Sequence, residues 1–150
     1  MAENTIGVRR AGDSDLPVLM ALIEQFCLAD DHDFDQGRVT AALGPLLLDD
    51  RYGQVWVVGE GPSAVGYAVI TWGWSLESGG LECLLDEIHV AARGRGLGSR
   101  LLRAVIDAAR AAGARVMFLE TEAANDRARR FYQQHGFATE NSVWLSRDLR

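Results

Sequence analysis

Apolar and polar positions alternate in two different rhythms along this chain. Thr5 to Arg9 reads as a short strand. Asp13, Ser14 and Asp15 then offer caps for a helix with Pro17 in its first turn. Leu16, Leu19, Met20, Ile23 and Phe26 recur along it at helical spacing. An acidic loop with Asp30, Asp31, Asp33 and Asp35 precedes a second short helix, from about Arg38 to Leu48. The middle of the chain has a β rhythm. Gln54 to Val58, Val65 to Trp74 and Leu81 to Val90 read as strands, separated by Gly59–Ser63 and Ser78–Gly80, which have turn chemistry. Two hairpins in succession predict an antiparallel meander.

Beyond Val90 the period becomes helical. Gly96 to Ala112 carries an apolar stripe of Leu97, Leu101, Leu102, Val105, Ala109 and Ala112 opposite Arg100, Arg103, Asp107 and Arg110. Gly113 is placed to end that helix. Val116 to Leu119 is an unbroken apolar run, as in a strand buried on both faces. Strand, helix and strand predict a right-handed βαβ unit. A short helix from about Asn125 to Gln134, stopped by Gly136, and a last strand from Val143 to Leu149 complete the prediction. The expected fold is α/β with a mixed sheet. An antiparallel N-terminal meander is followed by the βαβ unit, in a single domain over residues 1–150.

Composition narrows the function classes. A chain of 150 residues can bury a core without disulfides or a metal. Its formal net charge of −6 argues against nonspecific nucleic-acid binding and is compatible with a cationic substrate. Cys27 and Cys83 form no metal-type pair, and His32, His89 and His135 have no ligand spacing, so no metal is expected. The opening MAENTIGVRR lacks the apolar core of a signal peptide, and no apolar run is long enough to span a bilayer. The expectation is a cytoplasmic protein with no membrane partner.

The glycine-rich segment Arg93-Gly94-Arg95-Gly96-Leu97-Gly98 lies between a strand and the strongest helix. A helix start leaves its first amide hydrogens without partners, and side chains of Ser, Thr, Asp or Asn usually satisfy them. Here glycines leave the amides bare at the positive end of the helix dipole, with arginines around them. That suits a pyrophosphate. A Walker A loop would need Gly-Lys followed by Ser or Thr, which is absent. A Rossmann fingerprint, with Glu120 as its acid, fits poorly after an antiparallel meander. A third pattern is Arg or Gln, two residues, Gly, one residue, Gly or Ala. Arg93, Gly96 and Gly98 match it. A plain glycine-rich turn is the alternative that ascribes no ligand to the segment.

The third pattern has company. Leu84 through Val90, the segment from Asn125 through Ala128, Phe131, Tyr132, His135, Gly136 and Phe137, the start VRRAGDSDLPVLMALI and the strand Val65-Gly66-Tyr67-Ala68 follow in order. In these motifs the chain resembles the GNAT acetyltransferase superfamily over essentially its whole length. One departure stands out. Only Ala91 and Ala92 lie between Val90 and Arg93, where family members usually carry about four residues, so the register of Asp86 and Glu87 against the site is left open.

The resemblance implies acetyl-CoA as cosubstrate, with no metal, and transfer of its acetyl group to a primary amine of a small molecule or peptide. It implies that β-strand main chain at Ile88, His89 and Val90 binds the pantetheine arm. The segment Arg93, Gly94, Arg95, Gly96, Leu97, Gly98 and Ser99 would then hold the pyrophosphate. Asn125 is expected to cap its helix and, by resemblance, to touch the coenzyme. A protonated amine must lose a proton before it attacks a thioester, and a carboxylate can take it. Asp86 and Glu87 alternate on a regular strand, so one faces the acceptor. Glu87 is the expected base, and Asp86 replaces it if a bulge or the short turn exchanges them. Tyr132 stands where the family keeps the acid that protonates the thiolate, with aromatic packing as its other reading. The acidic loop suits a cationic amine or simple solvation. Trp72 and Trp74 suit an acceptor cleft or a homodimer interface. A non-catalytic acyl-CoA-binding or sensor protein on the same fold is the alternative function.

Overall fold

The computed structural model describes residues 5–150. They form two compact units, one ending at Glu120 and one spanning Thr121–Arg150. The first holds a five-stranded mixed sheet in the order β1-β2-β3-β4-β5, formed by β1 (Gly7–Arg10), β2 (Gly53–Glu60), β3 (Ser63–Ser75), β4 (Gly80–Val90) and β5 (Met117–Phe118). The first four strands pair antiparallel, and β5 joins β4 in parallel. Helices α1 (Leu16–Ala29) and α2 (Gln36–Leu48) come between β1 and β2, and α3 (Leu97–Ala111) connects β4 to β5. The antiparallel meander and the parallel βαβ unit expected from the sequence are both present. No helix among the described residues is long and apolar enough to cross a membrane.

Strand alternation divides the core between two faces. Val55 and Val57 on β2 and Tyr67 and Val69 on β3 pack with Leu19, Leu22 and Ile23 of α1 and Leu43 of α2. The intervening Val58, Ala68 and Ile70 are also buried and point to the opposite face, as a period of two requires. The stripe of α3 is buried at Leu97, Leu101, Leu102, Val105 and Ala109. Ala112 lies beyond the last turn and is exposed, because the stripe ends with the helix. Gly113, at φ 94°, follows as the left-handed stop.

The entry to α1 differs from expectation. Asp13–Asp15 form a single 3-10 turn, and no side chain caps α1. Asp15 is buried and has been drawn away to β1. Its Oδ1 and Oδ2 accept bonds from Arg9 Nη2 and Nη1 at 2.7 and 2.8 Å, and Oδ2 also accepts from the Gly12 amide at 2.9 Å. The Arg9 guanidinium and the Gly12 amide hold this carboxyl below the usual range against the effect of burial. A two-pronged charged pair uses a buried carboxylate more fully than one helix amide would. At α2 the cap is present but earlier than expected. Asp35 of the acidic loop accepts from the Arg38 amide at 2.9 Å, so the helix starts at Gln36.

Two strand expectations fail in part. The run Val116 to Leu119 pairs over Met117–Phe118 alone; Val116 is exposed and its neighbours are half-buried. β5 is the last strand of the sheet and has a neighbour on one side only. The second unit contains α4 (Asp126–Gln134), as expected, but no strand at Val143–Leu149. Val143, Trp144, Leu145 and Leu149 are 86%, 71%, 90% and 90% exposed. Alternation alone makes no strand. The second unit has no other strand with which these residues could exchange hydrogen bonds.

Glycine is required where β3 passes between β2 and β4. A Cβ on Gly66 would lie 2.8 Å from the His89 carbonyl oxygen, 2.9 Å from Val90 Cγ2 and 3.0 Å from Val58 Cγ1. Gly66→Ala is expected to destabilise the protein by about 1–3 kcal/mol, because the ladder must open to admit the methyl. Gly73→Ala, whose Cβ would meet nothing closer than 3.9 Å, is the control. Thermal melts of the two variants should separate by several degrees, and equal melting would show that the ladder yields freely.

Candidate active site

The site is organised by one irregularity in β4. Val69 pairs with Glu87, but its neighbour Ile70 pairs with Leu85, so Asp86 is an extra residue on β4. Residues opposite each other in an antiparallel pair share a face. Glu87 therefore faces with Val69 toward α1 and α2, whereas Leu85 faces with Ile70 to the other side. Without the bulge, residues 85 and 87 would lie on one face and the acid would join Leu85 on the side away from α1 and α2. The strict alternation of Asp86 and Glu87 assumed from the sequence is interrupted at these two residues.

Glu87 is half-buried. Its Oε1 accepts a bond from the Tyr67 hydroxyl at 2.7 Å. Burial raises the Glu87 pKa, the Tyr67 bond opposes that, the nearby Asp86 charge adds to it, and a charge on His32 lowers it. Tyr67 is fully buried, and burial together with the Glu87 charge drives its phenol far above the ordinary range. It stays neutral and donates. Asp86 is exposed at its surface. The chain around its carboxyl still pushes its pKa up, an effect that solvent partly screens.

His89 pairs with Tyr67 and so lies on the same face as Glu87. Its ring centroid is 6.0 Å from Phe26 of α1 and 6.3 Å from Tyr67. Its Nε2 is buried with no hydrogen-bond partner. Burial first, and Arg93 second, lower its pKa, so the neutral imidazole dominates at neutral pH. Cys27, half-buried on α1, has its thiol pKa raised by burial first and then by the Glu87 charge. The face of β4 thus meets the end of α1 and the start of the acidic loop. Tyr67, Phe26, Cys27 and His32 were not assigned to this site from the sequence. Cross-strand register and the bulge bring Tyr67 to Glu87, and the packing of α1 brings the other three to that face. Among the described residues, no three His, Cys, Asp or Glu side chains come together as a metal site would need.

Trp72 and Trp74 lie toward the other end of β3, opposite Cys83 and Leu81. The Trp72 indole donates to the Asp50 carbonyl at 2.8 Å, and Trp74 is largely exposed.

Main-chain groups are free beside the same stretch of strand. β5 pairs with β4 only at Cys83 and Leu84, so Leu85 to Val90, including Ile88 and His89, have β3 on one side and no described strand on the other. The chain then enters the glycine-rich turn. Gly94 at φ 80° and Gly96 at φ 69° are both left-handed, and a Cβ on either would meet nothing within 4 Å. Gly96 is the N-cap of α3, and no side chain caps it. Arg93 and Arg95 are exposed, and the Leu97 side chain is buried, so Leu97, Gly98 and Ser99 offer first-turn amides at the helix start.

In the second unit, Asn125 caps α4 by accepting from the Ala128 amide at 3.0 Å. Tyr132 packs edge-on against Phe131 and Phe137 at 5.2 and 5.8 Å, and burial raises its phenol pKa. Phe131 also stacks at 4.7 Å with His135, whose Nδ1 lies 2.8 Å from the Phe131 carbonyl.

The comparisons agree with this anatomy. No curated protein sequence matches the chain. An integron cassette protein, HFX_CASS3, from the mobile metagenome of Cole Harbour Salt Marsh is 32% identical, with 95% of this chain and 90% of that one covered and a TM-score of 0.84. Two more distant structures share the fold. One is the aminoglycoside N-acetyltransferase AAC(6')-Iy in complex with CoA, at 18% identity, 97% and 96% coverage and a TM-score of 0.82. The other is the aminoglycoside acetyltransferase meta-AAC0020, from an uncultured soil metagenomic sample, in complex with sisomicin, at 19% identity, full coverage of both chains and a TM-score of 0.79. The acetyltransferase (GNAT) family model matches residues 19–137, a span that includes the bulged strand, the glycine-rich helix start and the Tyr132 helix. The chain belongs to the acetyltransferase (GNAT) family.

Proposed function

We propose that the protein is an N-acetyltransferase that moves the acetyl group of acetyl-CoA to a primary amine of a small molecule or peptide. Both units would act as one domain over residues 1–150, a reading supported by a family match that reaches into each. One observation carries it: a half-buried acid, Glu87, stands on the stretch of β4 that pairs with β3 on one edge and with no described strand on the other, and that runs directly into an uncapped, glycine-rich helix start. The sisomicin complex of one structural neighbour supports a small amine acceptor.

In this reading the bare amides of Leu97 to Ser99, with Gly94 and Gly96 and the arginines Arg93 and Arg95, hold the pyrophosphate. The main chain of Ile88 to Val90 holds the pantetheine arm as an added strand would, and Asn125 contacts the coenzyme. A backbone amide of β4 polarises the acetyl carbonyl. The Glu87 carboxylate takes a proton from the ammonium, and the freed lone pair attacks the thioester carbon. The C–N bond forms, the C–S bond breaks, and the electron pair leaves on sulfur. The attacking nitrogen, now positively charged, loses its second proton to solvent as the C–S bond breaks, and Tyr132 gives its proton to the thiolate and recovers one from solvent. Asp86 adds negative potential that favours a cationic acceptor.

Gly96→Asp tests the coenzyme site. Asp tolerates the left-handed conformation better than most residues, and the space around Gly96 is open, so the chief change is one negative charge. Calorimetry with acetyl-CoA should show affinity falling at least about tenfold, and much less for the neutral Gly96→Asn. Equal weakening by both would assign the effect to shape and not to a bound phosphate.

Tyr132→Phe keeps the ring contacts with Phe131 and Phe137. Turnover should fall on the order of a hundredfold, with melting temperature and acetyl-CoA affinity unchanged. Unchanged turnover when chemistry limits the rate would leave Tyr132 as packing. Glu87→Gln should lower thiol release most at neutral pH and least at high pH, where more of the amine is already free. If Asp86→Asn gave that pattern in its place, Asp86 would be the base. If acetyl-CoA bound but no amine in a broad panel released thiol, the chain would be a binding or sensor protein.

A further inference from the structure

We propose that Tyr67 is the positioning residue of the Glu87 carboxylate: its hydroxyl holds Oε1, which leaves Oε2 to receive the acceptor's proton. The inference rests on the reading of Glu87 as the base. It starts from a contact that the sequence motifs do not contain. Tyr67 sits in the middle strand of the meander, with none of its surface exposed, and its hydroxyl bonds across the ladder to β4. The bulge at Asp86 turns Glu87 to the Tyr67 face, and the hydroxyl donates to Oε1 at 2.7 Å. Among the described residues Oε2 has no donor.

A carboxylate on a partly buried strand has several rotamers and a reason to pick up a proton. Tyr67 acts on both. Its ring is clamped in the core with Val55, Val57 and Val69, so the hydroxyl is a fixed point and the carboxylate must come to it. A neutral phenol donates to an ionised carboxylate better than to a protonated one, so the bond favours the form that can act as a base. The other groups facing Glu87 are mixed in effect. Asp86 on β4 disfavours the charge, His32 in the loop after α1 favours it when protonated, and Cys27 on α1 is held as a neutral thiol. His89, on the same face, is neutral. Among the described residues, Tyr67 is the neutral donor that bonds the carboxylate.

The test compares the wild type with Tyr67→Phe, Glu87→Gln and the double variant, reading kcat/KM for an amine acceptor against pH. A fourth protein carries a ring-fluorinated tyrosine at position 67, which keeps the shape and makes a stronger donor. Melting temperature and acetyl-CoA affinity confirm that each is folded. Tyr67→Phe should move the acidic limb of the profile up by about one pH unit, about tenfold in the ionised fraction below the limb. The fluorinated residue should move it down. The double variant should behave as Glu87→Gln alone, since Tyr67 acts only through that carboxylate. Should Glu87→Gln abolish the limb while both changes at position 67 leave it in place, Tyr67 is packing and the proposal is overturned, with the base unaffected. Should Glu87→Gln itself keep the limb, the base lies elsewhere and the proposal falls with it. A shift of the Glu87 carboxyl titration in Tyr67→Phe, followed by carbon NMR, reads the contact without turnover. Its absence also overturns the proposal.

Discussion

Strand β4 carries one residue more than β3 can pair, and the candidate site depends on that mismatch. A strand in a sheet with helices packed on it cannot choose freely where its polar groups point. Cys83 and Leu85 feed the sheet's apolar packing, whereas Glu87 lies on the face toward α1. Those demands are out of phase by one position. The unpaired Asp86 resets the phase, at the expense of a local break in the ladder. It also leaves Asp86 close enough for its charge to be felt by both Glu87 and Tyr67.

A second break in pairing lies on the other edge of the same strand. β5 follows β4 for two residues only and then departs, so β4 from Leu85 to Val90 keeps backbone groups that no described strand satisfies. Chain continuity delivers that edge straight into the turn at Arg93 and the start of α3. One short segment, Asp86 to Ser99, thus presents an acid, an open strand edge and a bare helix start in sequence. Gly94 and Gly96 make the sharp turn between the last two in left-handed conformations that a side chain would strain.

The residues around Glu87 divide by how they act. Tyr67 is held by the core, and burial beside the Glu87 charge pushes its phenol pKa up, which favours the neutral form. His32 lies in the exposed loop. His89 keeps a buried, unpartnered nitrogen between two aromatic rings, an arrangement that costs free energy until a donor or acceptor meets it.

The sequence by itself determined the elements and much of the family. Hydrophobic period separated the meander from the βαβ unit, Gly113 and Gly136 ended helices where expected, and Asn125 capped α4. Those signals are local, because period, capping and glycine conformation act over a few residues. The strand predicted at Val143–Leu149 shows the limit of such signals: alternation describes a face to be buried, and only a partner edge makes a strand. Asp15 shows it again, with Arg9 pairing to the buried carboxylate that a local rule assigned to a cap. Which of Asp86 and Glu87 shares a face with Val69 was decided by tertiary structure. It depends on which residue of β3 lies opposite each residue of β4, and a one-residue bulge reverses the answer without changing composition or period. The cluster of Tyr67, Phe26, Cys27 and His32 around Glu87 has the same origin, since cross-strand register and helix packing alone bring to Glu87 residues that lie 20 to 61 positions before it in the chain.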